Sequence, residues 1–342
     1  MFLRNAWYVA TRSEEVGQGL VPFTVLGERI VAYRKRNGEP AALEDACPHR
    51  KLPLSKGARA DDNIVCGYHG LTFDPAGSCV HSPTQSRIPP NARVRSYPVA
   101  DRWGFLWIWM GDPARAEPEA ILAIENFNNP AWGRSVGEAM DCACNYLYLA
   151  DNLLDPSHVA FVHPTSFAAS GTEKTALQTD VRHDGVIVSR WILDREVPPY
   201  YALLVKFAGR CDRLQHYEVR YPATAINQSV FTPAGTGGPG KSLHAEAYVM
   251  VSYHFLTPTD ENATRYHWLQ IRNTDPDDAE ITARITAGAR AAFEEDRLVL
   301  EAVHRGMAAK ATPNINLALD AGALRFRREL QTLIDREQGA KD

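Results

Sequence analysis

The sequence predicts an α+β protein with two domains, the first built from short strands and the second from a sheet with a long C-terminal helix. The chain has 342 residues, which is enough for two domains of ordinary size. Short apolar runs interrupted by Gly, Pro and Asn occur up to about residue 112 and again from about 175 to 272, and both patterns are typical of strands. Helical periodicity follows from Asp278.

The N-terminal elements are short strands separated by turn signals. Pro22–Leu26 and Arg29–Tyr33 are two of the predicted strands, and Gly27 lies in the turn between them. Phe105–Met110 is a strongly aromatic strand whose tryptophans we expect to fill the core, and it ends at Gly111.

The domain boundary is predicted in the polar, proline-containing segment 113–120, with residues 1–115 forming the first domain and 116–342 the second. A helix is expected over Asn145–Leu154, a long helix over about 278–307, and another over 321–336. Between them we expect strands at Val186–Leu193, Leu203–Phe207, Gln215–Tyr221 and Ala247–Leu256.

Composition and charge narrow the class of protein. The chain is 45% hydrophobic and 23% charged, as in globular proteins, and its net charge of −4 argues against nucleic acid as a main partner. No apolar stretch approaches 18 residues, so we expect no membrane span. The N-terminus lacks a signal-peptide layout, so we expect a cytoplasmic protein whose six cysteines are reduced and free to bind metal.

The first candidate metal site consists of two short loops, Cys47-Pro48-His49 and, after sixteen intervening residues, Cys66-Gly67-Tyr68-His69. Each loop offers one thiolate and one imidazole. A [2Fe–2S] cluster with two Cys on one iron and two His on the other needs two such loops. Zinc is the alternative, but zinc sites usually pair Cys with Cys and His with His along the chain. The alternation therefore favours the iron–sulfur cluster.

The second candidate site lies in Asp155-Pro156-Ser157-His158, which is followed by His163-Pro164. Pro156 suits the first turn of a new helix, with Asp155 as its N-cap. The two histidines are five positions apart and would diverge by about 140° on a regular helix. Both bind one ion only if the helix distorts or ends near His163. The alternative is a capping aspartate with two histidines buried in a core.

A third, anionic ligand is expected from the long C-terminal helix. A face of two histidines and one carboxylate is typical of non-haem Fe(II) oxygenases. Asp296 falls within the apolar stripe of the helix, Glu295 lies at its edge and Glu294 on the opposite face. A carboxylate directed into the core is costly unless it is paired or binds metal, so Asp296 is the predicted ligand. The stripe comprises Ile281, Ile285, Ala289, Ala292, Val299 and Val303.

Together these motifs resemble the Rieske non-haem iron oxygenases. Cys47-Pro48-His49-Arg50 and Cys66-Gly67-Tyr68-His69-Gly70 match the oxygenase form of the Rieske motif, because neither loop has the additional cysteine of respiratory Rieske subunits. The resemblance implies that Cys47 and Cys66 bind one iron, and that His49 and His69 bind the other.

The resemblance also implies roles for the second motif. Its Asp-x-x-His-x₄-His pattern and a later Asp supply the mononuclear iron, here through His158, His163 and Asp296. Asp155 matches an aspartate that links an iron-binding histidine, His158, to a cluster histidine of the next subunit, His69. Asn152 matches an asparagine near the iron.

The resemblance covers nearly the whole chain and is greatest in the branch of aromatic O-demethylases and methyl-group monooxygenases, such as vanillate demethylase, dicamba demethylase and toluenesulfonate methyl-monooxygenase. It implies a helix-grip catalytic domain in a homotrimeric oxygenase component, which receives electrons from a reductase or ferredoxin. It further implies that O₂ is used to hydroxylate or O-demethylate a small, anionic aromatic substrate. The shared segments are Arg4–Ala10, Trp107–Pro113, Asp151–Asp155 and Phe293–Asp296.

Three alternatives remain open at this stage: ring hydroxylation or dihydroxylation, a Rieske electron carrier with a non-catalytic second domain, and a zinc-binding interaction protein. The substrate pocket is expected among the strands of residues 175–272. The polar residues considered there, without being assigned to the site, are Arg210, Arg213, Asn227, His254 and His267.

Overall fold

The computed structural model of the chain describes residues 1–168, 174–309 and 312–339. The chain divides into two compact units. The first comprises residues 1–123, 257–261 and the C-terminal residues from Glu337, and the second comprises 124–256 and 262–336. None of the helices in these described ranges has the length and hydropathy needed to cross a membrane.

The first unit is built from strands, as predicted, in three small antiparallel sheets with the orders β1-β11-β10, β2-β3-β4-β9 and β5-β6-β7-β8. Leu26 and Gly27 form a two-residue turn between β2 and β3, and both have positive φ, as a tight hairpin of this kind requires. The strands are β1 (Trp7–Arg12), β2 (Val21–Val25), β3 (Glu28–Arg34), β4 (Pro40–Glu44), β5 (Ala58–Ala60), β6 (Asn63–Val65), β7 (Thr72–Phe73), β8 (Cys79–His81), β9 (Ser96–Tyr97), β10 (Val99–Arg102) and β11 (Phe105–Trp109).

The second unit contains one eight-stranded sheet and most of the helical residues. Its order is β12-β19-β18-β17-β16-β15-β14, with β13 also paired to β19. The elements are β12 (Gly133–Val136), β13 (Met140–Cys142), α1 (Tyr146–Leu153), α2 (Val159–Val162), β14 (Gln178–Arg182), β15 (Gly185–Arg195), β16 (Cys211–Arg220), β17 (Thr224–Pro233), β18 (Tyr248–Asp260), β19 (Ala263–Arg272), α3 (Ala279–Ala309) and α4 (Ala321–Gly339). A sheet packed against a long helix confirms the predicted α+β class.

The three predicted helices are confirmed as α1, α3 and α4, but the predicted strand at Leu203–Phe207 is wrong. This run follows a 3₁₀ turn at Pro199–Tyr201 and has no strand partner. Two of its apolar residues are buried all the same, since Leu204 and Val205 pack with Phe231 of β17, whereas Leu203 is exposed. A short apolar run indicates burial without specifying a strand, and here the buried residues lie in a loop.

Helix α3 buries a face that only partly matches the predicted stripe. Its N-terminal half agrees, because Ile285, Ala289 and Ala292 are buried. Its C-terminal half differs, since Leu300 is buried while Val299 and Val303 are exposed. Asp296 is 6% exposed and therefore lies on the buried face, as predicted.

Candidate metal centres and the adjoining cavity

The two Cys–His loops of the first unit share one backbone conformation. In each loop the cysteine N–H donates to the carbonyl five residues later, at 2.9 Å for Cys47 and 2.8 Å for Cys66. The N–H four residues later donates back to the cysteine carbonyl, at 2.8 and 3.0 Å. That fourth residue has positive φ in both loops, as Lys51 and Gly70 respectively. Two loops of separate sequence therefore share this backbone pattern around their cysteines, although the histidine follows two residues after Cys47 and three residues after Cys66.

The side chains of these loops suit a cluster with inner thiolates and outer imidazoles. Cys47 and Cys66 are buried, and burial together with the neighbouring Cys66 thiol raises the pKa of Cys47. His49 and His69 are more exposed than the two cysteines, and the centroids of their rings lie 4.6 Å apart. The Nδ1 atom of His69 is buried and has no hydrogen-bond partner in the described part of the chain. A buried nitrogen without a partner is unfavourable unless it binds a metal.

The arrangement of the four side chains argues against a single zinc ion. A tetrahedral zinc ion would bring its ligand atoms within about 4 Å of one another. In the ranges that the structure describes, ligand atoms within 4.8 Å of one another are found for one group, and that group is His158, His163 and Asp296. Cys47, His49, Cys66 and His69 do not form such a group, and two loops with one Cys and one His each fit a cluster of two metal atoms.

The second site is assembled from three helices of the second unit. Asp296 of α3 places its Oδ1 atom 3.1 Å from Nε2 of His163 and 3.6 Å from Nε2 of His158. The Nδ2 atom of Asn152, on α1, donates to the same Oδ1 at 3.1 Å. The structure thus brings together all three predicted ligands and the predicted neighbouring asparagine.

The five-residue spacing of the histidines is accommodated because α2 is a single turn. It ends at Val162, and His163 leaves the helix with φ −119° and ψ 47°. Nδ1 of His158 forms a hydrogen bond with the backbone carbonyl of Asp155, which directs Nε2 towards Asp296.

The prediction that Asp155 is the N-cap of the helix is wrong. The cap position is occupied by His158, while the Asp155 carboxylate accepts a hydrogen bond from the N–H of Ser157 at 2.7 Å. Pro156 is followed by an irregular turn before α2 begins, and this turn separates the carboxylate from the helix. Asp155 is half-buried, so its carboxylate also remains within reach of solvent.

Glu295 is a further member of this site that the sequence interpretation did not select. Its Oε2 atom lies 2.7 Å from Nδ1 of His163. Burial lowers the pKa of His163, but the hydrogen bonds and charges of Asp296 and Glu295 outweigh that effect and raise it. The only sequence signal was the position of Glu295 at the edge of the apolar stripe.

A cavity adjoins the ligand side of this site. It is partly open to solvent. The apolar residues of its lining are Leu153, Val159, Phe167, Met250, Ala292 and Phe293. Several lining residues come from β17, β18 and β19, in which Asn227 pairs with Ser252 and Ser229 with Met250 across strands. The polar residues of the lining are Tyr201, Tyr217, Asn227, Ser229, Ser252, His254 and Gln270.

Two polar groups of the cavity have no partner in the described residues, namely Nε2 of His254 and Oδ1 of Asn227. Nδ1 of His254 lies 2.6 Å from the hydroxyl of Tyr266. Burial lowers the pKa of His254 to about 3, against a smaller opposing effect of Asp296. At neutral pH the cavity therefore presents a neutral imidazole and a neutral amide.

The other polar candidates do not line the cavity. Arg210 is bonded to Asp194 at the surface. Arg213 is buried, with its guanidinium over the ring of Tyr201 and an N–H donated to the carbonyl of Phe167. His267 is buried outside the lining.

Comparison with known proteins gives consistent matches over the whole chain. Residues 6–98 match the Rieske [2Fe-2S] domain, and residues 142–336 match the vanillate O-demethylase oxygenase C-terminal domain. The chain is 37% identical to the toluene-4-sulfonate monooxygenase system iron-sulfur subunit of Comamonas testosteroni, covering 99% of each chain. It is 33% identical to a vanillate O-demethylase oxygenase subunit of Pseudomonas sp., covering 100% of this chain and 98% of that one. A crystal structure of dicamba monooxygenase bound to 3,6 dichlorosalicylic acid superimposes with a TM-score of 0.90 at 31% identity, covering 98% and 99%.

Proposed function

Because the chain belongs to the Rieske oxygenases of the vanillate O-demethylase type, we propose that it hydroxylates or O-demethylates a small aromatic substrate. As an oxygenase component it uses a Rieske [2Fe–2S] cluster and a mononuclear non-haem iron, and both predicted cofactors are confirmed. The observation that supports the proposal most directly is the triad of His158, His163 and Asp296 beside a cavity. An electron carrier has no use for such a triad.

We assign the iron ligands as follows. Cys47 and Cys66 bind one iron of the cluster, and His49 and His69 bind the other. Neutral imidazoles in place of two thiolates make the cluster a better electron acceptor, which suits a relay to a site that reduces oxygen.

The mononuclear iron is assigned to His158, His163 and Asp296. A face of three protein ligands leaves the other coordination positions open, and when bound the iron supplies O₂ activation there. Asn152 holds the Asp296 carboxylate through its amide, and the Asp155 carbonyl fixes the His158 ring. These contacts orient the ligands before the metal binds.

The substrate is proposed to lie in the adjoining cavity, with its ring against apolar residues of the lining and its polar group towards Asn227 and His254. We propose an anionic aromatic compound, in keeping with relatives named for toluene-4-sulfonate and vanillate. In the described part of the chain no Lys or Arg lines this cavity. The acid group would therefore be held by neutral donors such as an N–H of the His254 imidazole and the Nδ2–H group of the Asn227 amide.

The oligomeric state is proposed to be a homotrimer, in which Asp155 links His158 to the partner subunit's His69. A cleft beside Asn152, Asp155 and His158 supports this proposal. Its lining includes apolar side chains that are exposed in the single chain, which favours coverage by a second chain. They are Val299, Val303, Met307, Ile315 and Leu324.

Three further expectations complete the proposal. Electrons come from a separate reductase or ferredoxin, since the chain is an oxygenase component. A cytoplasmic location is in keeping with six free cysteines. The division into domains at residues 115 and 116 stays a prediction.

The proposal is tested by supplying purified protein with a surrogate reductase and a panel of methoxylated and methylated benzoates and sulfonates. O-demethylation releases formaldehyde, whereas methyl hydroxylation gives the benzyl alcohol without it, and ring hydroxylation gives a phenol or diol. The matched variant His163→Ala is expected to keep the red-brown colour of the cluster and to form no product. The absence of any O₂-dependent product across the panel would refute the proposal, and loss of colour in the variant would refute the ligand assignment.

A further inference from the structure

Both ring nitrogens of His163 are engaged by consecutive residues of one helix. Nε2 faces the Asp296 carboxylate at 3.1 Å, while Nδ1 faces the Glu295 carboxylate at 2.7 Å. Neighbouring positions on a helix point about 100° apart, so the two carboxylates reach the imidazole from two sides. The ring itself is 4% exposed, and its orientation is therefore set by these contacts and by packing.

The two iron-binding histidines differ in the group that accepts a hydrogen bond from Nδ1, the ring nitrogen that does not face Asp296. Nδ1 of His158 is bonded to the neutral backbone carbonyl of Asp155, whereas Nδ1 of His163 is bonded to a carboxylate. Each bond fixes Nδ1 as the protonated nitrogen and leaves Nε2 for the metal. The charged acceptor also makes the imidazole a stronger ligand, because charge-assisted hydrogen bonds are stronger than neutral ones.

We propose that Glu295 is a positioning residue that holds the His163 ring and strengthens it as an iron ligand. The inference rests on the proposed function, in which His163 binds the mononuclear iron. Glu295 touches neither the metal position nor the cavity lining, so it acts only through His163. Its side chain is 48% exposed, which leaves room to replace it without disturbing the core.

The chain provides a matched control one residue away. Glu294 has the same side chain on the same helix and is 47% exposed, but its carboxylate is bonded to Arg297. Removing Glu294 changes the local charge by the same amount and leaves His163 untouched. If the two glutamates acted only through their charge, iron binding would weaken in both Glu294→Ala and Glu295→Ala. If Glu295 positions His163, iron binding weakens only in Glu295→Ala.

The test measures Fe(II) affinity by competition with a chelator in the full chain, with the visible spectrum of the Rieske cluster as an internal check of folding. Glu295→Ala is expected to weaken iron binding by about 10- to 100-fold, the range typical of such supporting carboxylates. Glu295→Gln, which keeps an acceptor without charge, is expected to lie between the alanine variant and the native protein. Glu294→Ala is expected to stay within about twofold of native, by the same comparison.

A spectroscopic readout separates positioning from a general loss of stability. The electron paramagnetic resonance signal of the Fe(II)–nitric oxide adduct depends on ligand orientation, so it is expected to change in Glu295→Ala and to remain native in Glu294→Ala. Native affinity and a native signal in Glu295→Ala would overturn the inference. His163→Ala distinguishes that result from failure of the proposed function: if this variant also retains iron, the ligand assignment itself is wrong.

Discussion

His254 gives the sharpest prediction, since its burial makes the stability of the protein depend on pH. The side chain is 2% exposed, and burial lowers its pKa from the ordinary value of 6.5 to about 3. The folded protein therefore keeps the imidazole neutral at pH values where the unfolded chain binds a proton. The perturbation is a fall in pH from 7.5 to 4.5, compared between the native protein and the variant His254→Gln.

The magnitude follows from the difference between the two pKa values. Because the folded pKa is the lower one, the contribution of His254 is fully present above pH 6.5 and is lost as the pH falls towards 3. Each pH unit in that interval removes about 1.4 kcal/mol from the free energy of unfolding. Between pH 6.5 and 4.5 the loss attributable to His254 is thus about 2.7 kcal/mol.

Urea unfolding of the iron-loaded protein at pH 7.5 and 4.5 measures this loss. Other groups, including the metal ligands, also contribute to acid sensitivity, but they are common to both proteins and cancel in the difference. We expect the pH-dependent loss to be smaller in His254→Gln by about 2–3 kcal/mol. The exposed His183 provides the control, and His183→Gln should behave as the native protein. An equal loss in native protein and His254→Gln, to within about 0.5 kcal/mol, would refute the reasoning.

Three further predictions concern the site and the residues that support it. Asp155→Asn keeps the carbonyl bonded to His158 and a side-chain acceptor for Ser157, so both metals should remain bound while turnover falls about 100-fold or more; near-normal O₂ uptake with full metal content would contradict the linking role. Gly137→Ala places a Cβ atom 1.9 Å from Cζ2 of the buried Trp268, so the free energy of unfolding should fall by about 1–3 kcal/mol; an unchanged melting temperature would show that the ring moves freely. Arg190→Met removes donors to Gln215 Oε1 at 2.7 Å and to the Pro156 carbonyl at 3.0 Å, and urea unfolding should show a loss of about 2–4 kcal/mol; a loss below about 1 kcal/mol would mean that these acceptors find other partners.

The candidate metal ligands could be recognised in the sequence because metal-binding motifs depend on the spacing of residues that are close together in the chain. Two loops with alternating Cys and His can be recognised without knowledge of the fold. The structure shows that both loops have the same backbone hydrogen bonds around the cysteine. Asp296 is a stronger case, since its ligand role was inferred from helical periodicity alone. A carboxylate on an apolar stripe is unfavourable without a partner, and the structure places Asp296 on the buried face beside His158 and His163.

The helix boundaries and the path of the chain between helices were less predictable. The turn after Pro156 moves the helix start beyond Asp155, because the helix cap depends on how the loop packs. In the run Leu203–Phe207 only Leu204 and Val205 are buried, and they lie in a loop and not in a strand. The exposure of Val299 and Val303 could not be predicted either. Helical periodicity shows which residues share a face of the helix, but it does not show how much of that face the neighbouring elements cover.

The sequence by itself thus determined the fold class and indicated the two candidate metal-binding motifs and the carboxylate proposed to complete the second one. Only the tertiary structure selected Asn227 and His254 as cavity residues over Arg210 and Arg213, and revealed Glu295 behind His163. The physical reason is that ligand spacing is a local property of the chain. Which face of a strand meets a cavity, and which half-exposed side chain reaches a ligand, depends on packing between elements that are distant in sequence.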